Sequence, residues 1–384
     1  MLFFILACTL PAFIVSLLTT RFVRDRAEGW GLVDNPGARK VHKTPTPMGG
    51  GIGIWLGVVL PLAVAQLLIM NATTRGWMVG VLPEAISIHL DGFVEKSRLL
   101  WIILGGGTLL SIMGLIDDLR NLPWQPRLAI QFAVAIGLVW AGVSVSVFVP
   151  IPLVGQAITV VWLLGLINSF NFLDNMDGLS SGIALVGAIV FSIVMLFSIG
   201  EPRWLVGGVL LILAGALAGF LVFNWSPASI FMGDTGSYFI GLLMGSMTVV
   251  GTFYENQASR HVILAPLFVL AVPLYDTFTV LLIRIREGRS PFHADKKHFS
   301  HRLVEIGLRP DRAVLTIHLA TLTTGLGALL LYEVEGWTGA GIIGVLVLCV
   351  LAIIAILETV GRQAASNNNG NGGQKPETGD KDAS

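Results

Sequence analysis

The sequence predicts an all-α polytopic membrane protein with about 11 transmembrane helices, its N-terminus outside and its C-terminus cytoplasmic. Three observations lead there. First, 54% of the 384 residues are hydrophobic and 12% are charged, with a mean hydropathy of +0.78. A soluble domain carries about 25% charged residues. Second, eleven apolar runs approach the ~20 residues that a spanning helix needs. Third, the 24 basic residues fall unevenly between alternate loops.

The runs lie at 2–20, 51–70, 99–116, 128–149, 153–167, 182–199, 204–223, 238–254, 261–283, 313–332 and 338–357. Lipid offers no partner to backbone N–H and C=O groups, so each run is expected to be a helix rather than a strand. The first contains "ILAC", which looks like a processing site. No basic region precedes Cys8 and too few residues come before it, so 2–20 reads as an uncleaved first span. The run 153–167 is the shortest and follows Pro150 and Pro152. The stretch 71–98 reads as an outer loop with a short amphipathic segment on the membrane surface. Residues 1–360 form the multi-span domain. Residues 361–384, rich in Asn and Gly, are expected to be a disordered cytoplasmic tail.

With eleven spans, one set of loops holds 19 of the basic residues and the other holds five: Arg75, Lys96, Arg98, Arg203 and Arg260. The positive-inside rule puts the first set in the cytoplasm. Net charge is zero, so bulk charge predicts no nucleic-acid partner. The two cysteines, Cys8 and Cys349, both sit in apolar runs and form no disulfide framework or zinc site.

Five polar stretches fall in the basic set of loops. "RKVHKTPTPMGGG" (39–51) offers Arg39, Lys40, His42 and Lys43, then glycines at a helix start. Free N–H groups and basic charge suit an anion; topology plus a glycine-rich helix start is the plainer reading. "GLIDDLRNLPWQPR" (114–127) follows the third run, with Asp117 and Asp118 closing it. Adjacent carboxylates at a membrane surface suit a general base or a cation site. "NSFNFLDNMDGL" (168–179) carries Asn168, Asn171, Asp174 and Asp177 at three-residue spacing. If the helix continues, they share a face, and such oxygen donors suit Mg²⁺. "FNWSPASIFMGDTGS" (223–237) has Asn224 and a lone Asp234 between glycines, with no Lys or Arg. "RIREGRSPFHADKKHFSHRL" (284–303) carries His293, His298, His301 and Arg302; a cationic surface for phosphate fits better than a metal site, since there is no HExxH and no third soft ligand. Carboxylates in three loops facing basic groups in two describe a metal–diphosphate site, and its place at the membrane surface points to a lipid substrate.

These five motifs, in order over about residues 30–305, resemble the polyprenyl-phosphate N-acetylhexosamine-1-phosphate transferases of glycosyltransferase family 4. These are cousins of the phospho-N-acetylmuramoyl-pentapeptide transferase. The resemblance implies transfer of a sugar 1-phosphate from a UDP-sugar to a polyprenyl (undecaprenyl) phosphate, with release of UMP. It implies Mg²⁺, with Mn²⁺ an alternative, and a site on the cytoplasmic face of a bacterial inner membrane, starting an envelope polysaccharide such as lipopolysaccharide or teichoic acid. Partners are then the UDP-sugar, the polyprenyl phosphate and membrane lipid; a homodimer is compatible with it. By position, Asp234 resembles the metal ligand, with Asn171 beside it. Asp117 resembles the base for the lipid phosphate, and Asp118 is its neighbour. Asp174 and Asp177 resemble the family's paired aspartates near nucleotide and metal. Lys43, Asn168, Asn171, Asn224, His298, His301 and Arg302 fall at substrate-binding positions.

The chain departs from the family pattern twice. Asn175 stands where D-G-x-D-G-L has glycine, so either the turn differs or Asn adopts the left-handed conformation. Ser300 stands where H-x-H-H has its middle histidine. "RKVH" fits the N-acetylglucosamine type, so UDP-GlcNAc is favoured over UDP-MurNAc-pentapeptide. A transporter or flippase, the rival class, places its acids near the bilayer midplane in related repeats; here they stand at span ends and no repeat is apparent.

Overall fold

The computed structural model describes residues 1–36, 44–75, 90–145, 151–253, 260–290 and 298–371. Each of the eleven apolar runs contains helix among its described residues. In chain order the helices are α1 (Leu2–Arg26), α2 (Gly51–Arg75), α3 (Leu90–Arg120), α4 (Trp124–Trp140), α5 (Pro152–Leu173), α6 (Leu179–Ile193, continued by a π-helical turn Val194–Ser198) and α7 (Trp204–Asn224). Then come α8 (Asp234–Phe253), α9 (Ala265–Val269), α10 (Ala271–Arg286), α11 (Phe299–Glu305), α12 (Pro310–Glu333) and α13 (Gly336–Asn371). A two-residue antiparallel ladder pairs β1 (Val33–Asp34) with β2 (Thr46–Pro47).

Among the described residues, eight helices are long and apolar enough to cross a bilayer, and a bent pair makes nine. The remaining two of the eleven expected are α4, of 17 residues, and α8. The α8 helix runs through the middle of the bundle, and its Thr235, Ser237, Ser246 and Thr248 are buried in protein. A helix wrapped by other helices need not be lipophilic, which is why composition alone undersells it. Burial ranks the rest: the spanning windows of α6 and α7 are 78% buried, those of α1 and α13 only 17% and 22%. Leu6, Leu10, Ile14, Leu18, Leu346 and Ile353 on the two outer helices are exposed as a lipid-facing surface would be.

Several boundaries differ from the expected ones. The α4 helix ends at Trp140, short of 149, because Gly142 turns left-handed (φ 106°) just beyond it. The run 261–283 breaks by 69° between α9 and α10, where Pro273 lacks the N–H that would bond back to Val269. Leu90–Arg98 belongs to α3 rather than to a surface segment; 76–89 lie outside the described residues. The α13 helix continues to Asn371, into the stretch expected to be tail; Arg362, Gln363, Ala364 and Ala365 are good helix formers and extend it.

Candidate active site

The α5 helix continues past its apolar run to Leu173, so Asn168 and Asn171 are helical. Asp174 caps it, and its N–H bonds to the Asn171 carbonyl at 3.2 Å. The chain then turns, Gly178 adopts φ 69°, and α6 begins, so Asp177 leaves the shared face that an unbroken helix would give. Asn175 is not left-handed: Asn121 is the one non-glycine residue with positive φ among those described.

Asp234, the first residue of α8, is the hub. Its Oδ1 accepts from Asn171 Nδ2 at 2.7 Å, and its Oδ2 from Tyr238 Oη at 2.9 Å and Arg127 at 3.3 Å. The same Arg127 nitrogen donates to Asp117 Oδ2 at 2.6 Å, so two carboxylates from α3 and α8 converge on one cation. The other Asp117 oxygen accepts from the Leu122 N–H at 2.6 Å. Asp118 accepts from the Asp234 N–H at 2.9 Å and the Thr235 hydroxyl at 2.9 Å, and so holds the start of α8 against the end of α3. That approach needs glycine twice. A Cβ on Gly233 (φ 74°) would meet Asp118 Oδ2 at 2.5 Å, and one on Gly114 would meet the Asp234 carbonyl at 2.4 Å.

The half-buried Asp174 stands near Asp118 and Asp177. Loss of water around its carboxylate, then repulsion from Asp118, push its pKa from 3.8 to about 7; the Gly233 N–H opposes the shift. Asp177 accepts from the Ala228 N–H at 3.0 Å. Asn168 donates to Gln131 at 2.8 Å. Asn224 is buried: its Oδ1 accepts from the Gly178 N–H and Ser181, and its Nδ2 donates to the Ile230 carbonyl. Its geometry is that of a tie between two site loops.

On the basic side, His298 and Arg302 meet buried acids. His298 Nδ1 lies 2.9 Å from Asp276 Oδ2, both buried. Arg302 bonds Glu358 of α13 at 2.7 Å and lies 3.8 Å from Asp276, while donating to Thr279 at 3.0 Å. Both contacts are to carboxylates inside the protein and tie α11 to α10 and α13. His301, on the same helix, is half-buried. The glycine-rich start of α2 also serves packing. The N–H groups of Gly50 and Gly51 bond the carbonyls of Phe231 and Met232 at 2.9 Å rather than waiting for an anion. Arg39, Lys40, His42 and Lys43 lie outside the described residues.

Asp276, Glu358, Arg127 and Tyr238 were not singled out from sequence. Asp276 had a signal: a lone acid inside an apolar run. Arg127 counted only toward orientation. Glu358 and Tyr238 become visible only when distant helices meet.

Residues 100–252 match the family model described as glycosyl transferase family 4. A decaprenyl-phosphate N-acetylglucosaminephosphotransferase from Mycolicibacterium smegmatis is 35% identical, covering 91% of this chain and 86% of the relative. The chain belongs to glycosyl transferase family 4. A probable undecaprenyl-phosphate N-acetylglucosaminyl 1-phosphate transferase from Bacillus subtilis is 30% identical over 88% of each chain. The undecaprenyl-phosphate alpha-N-acetylglucosaminyl 1-phosphate transferase of Escherichia coli K12 is 27% identical over 84% of this chain and 82% of its own. As a family 4 member, the chain carries its matched segment from α3 to α8, the stretch that holds Asp117, Asp118, Asn171, Asp174, Asp177 and Asp234.

Proposed function

We propose that this protein transfers N-acetylglucosamine 1-phosphate from UDP-GlcNAc to a polyprenyl phosphate, releasing UMP, at the cytoplasmic face of a bacterial inner membrane. The observation that carries it is the convergence of Asp117 and Asp234 on Arg127, with Asn171 bonded to Asp234. The names of the relatives supply the substrates. Nineteen basic residues on the same side of the chain's alternating loops support the sidedness.

Among the described residues, no three His, Cys, Asp or Glu groups enclose a metal by themselves. That suits Mg²⁺, which takes one or two carboxylates and completes its shell with water and substrate phosphates. Two carboxylates already drawn to one guanidinium nitrogen are a fitting place for such a cation. Asp234 would hold it, with Asn171 and Asp117 beside it. When bound, it would neutralise charge on the diphosphate.

The chain's own groups do the rest. The lipid phosphate reaches the site from the bilayer, and an open apolar groove of about 420 Å³ lined by Ala157, Ile158, Val161, Trp162, Gly165 and Leu274 offers a seat for its prenyl chain. Gly165 lies six residues before Asn171 on α5, roughly 9 Å along the helix axis. Asp117 accepts the lipid phosphate's proton or orients it. An oxygen of that phosphate attacks the sugar-bearing phosphorus, a new P–O bond forms, and the bond to the uridylyl phosphate breaks in line. UMP leaves with the bridging oxygen. Direct displacement asks no covalent bond of Asp117, whose two oxygens are already engaged. The test is UMP release by purified protein from UDP-GlcNAc, with and without undecaprenyl phosphate and Mg²⁺. Release that needs all three supports the reading. No release from folded protein with any UDP-sugar sinks it.

A further inference from the structure

The two positions at which the chain departs from its family's pattern touch each other. Ser300 Oγ donates to Asn175 Oδ1 at 2.6 Å. The Asn175 amide nitrogen donates to the Phe172 carbonyl at 2.6 Å, so its two ends are distinguishable: a flipped amide would set oxygen against oxygen at Phe172. Ser300 is fully buried, and a buried hydroxyl left without a partner is costly. One amide thus reads two elements at once. It closes the last turn of α5, which presents Asp174, and it accepts the only bond among those described from Ser300 of α11.

The contact also completes a clamp. His298 and Arg302, four residues apart, fasten one face of α11 to Asp276 and Glu358. Ser300 lies between them in sequence, about 200° around the helix from His298 at 100° per residue, and fastens another face to the acidic loop. The Phe172 ring is 5.8 Å from the His298 ring, and the Arg284 guanidinium lies 5.2 Å from its centroid.

We propose that Asn175 and Ser300 are a paired positioning device, a single hydrogen bond that sets the spacing between the aspartate loop and the histidine-bearing helix and so shapes the diphosphate pocket. The link to substrate rests on the transferase reading; the mechanical coupling does not.

Two measurements separate those parts. The first is hydrogen exchange on the full-length protein in detergent, for Asn175→Ala, Ser300→Ala and the double variant. Each single variant should speed exchange in both 174–178 and 298–306, and the double variant should exceed neither. Faster exchange confined to the altered residue's own segment, or additive effects in the double, overturns the coupling. Asn175 is half-buried, so Asn175→Ala reads the bond even if Ser300→Ala fails to fold. Ser300→Thr keeps the hydroxyl and should stay near wild type. The second measurement is steady-state turnover. Each single variant should raise KM for UDP-GlcNAc about 10-fold with kcat changed less than about 3-fold. Unchanged KM, or a loss of kcat alone, overturns the positioning role. If wild type turns over no UDP-sugar, the transferase reading falls while the exchange cycle still decides the coupling.

Discussion

A single guanidinium nitrogen of Arg127 lies between Asp117 and Asp234, and this arrangement sets what single substitutions do. Asp234→Asn and Asp117→Asn should each lower the rate of UMP release by roughly 10²–10³-fold, the scale of removing one preorganised charge from a reaction centre. Yield and detergent-solubilised monodispersity should hold, since Asn keeps the shape. A variant with near-wild-type rate would remove that residue from the mechanism. Asp174 gives a pH signature. Its folded-state pKa is raised, from 3.8 to about 7, so the folded protein holds that proton more tightly than the unfolded chain does. The stabilisation is complete below about pH 4, is lost as pH rises through about 7, and then levels off. Melting temperatures of metal-free protein between pH 4.5 and 8 should show wild type falling against Asp174→Asn over that window. Parallel curves would mean the carboxylate is not desolvated as described.

At the scale of elements, the site exists because three helix ends come unusually close. The α3 terminus, the α5 terminus and the α8 start meet across Gly114 and Gly233, and α2 meets α8 where Gly51 faces Gly236. Gly114→Ala places a methyl 2.4 Å from the Asp234 carbonyl, and the α8 start must shift. Activity should fall at least 10-fold, and the melting temperature should drop by an amount matching about 1–3 kcal/mol of overpacking. Gly105→Ala, at a position with no atom near the new methyl, is the control and should be silent. Equal behaviour of the two would show that the close approach does not matter. The bend between α9 and α10 has a separate consequence: it sends α10 past the end of α5, which lets Asp276 reach His298 and lets Thr277 bond Ser169 at 2.7 Å.

For the whole molecule, the prediction concerns sidedness. All five polar stretches have described residues at one end of the bundle, and the function proposed above puts that end in the cytoplasm. A cysteine replacing the exposed Asn121, in a chain lacking Cys8 and Cys349, should react with a membrane-impermeant maleimide only after the inner membrane is opened. Labelling of intact spheroplasts would invert the topology.

Much of this was legible in the sequence. Each apolar run contains helix among its described residues, because a chain in lipid has few other ways to satisfy its backbone. Five short motifs marked the acids and the family, because oxygen donors in a lipophilic chain are expensive and therefore seldom idle. What sequence could not supply were relationships between distant residues. Arg127 looked like a topology marker until α3 and α8 placed it between two carboxylates. Glu358 lies 56 positions from the Arg302 it pairs with. Nor could sequence show that His298 and Arg302 lie against the buried acids Asp276 and Glu358, or that the Gly50 and Gly51 N–H groups bond the carbonyls of Phe231 and Met232. Local chemistry determines which segments are helical, which enter lipid and which residue types are available. Which charge meets which is decided by packing, since an ion pair or a close backbone contact depends on distances that no single segment contains.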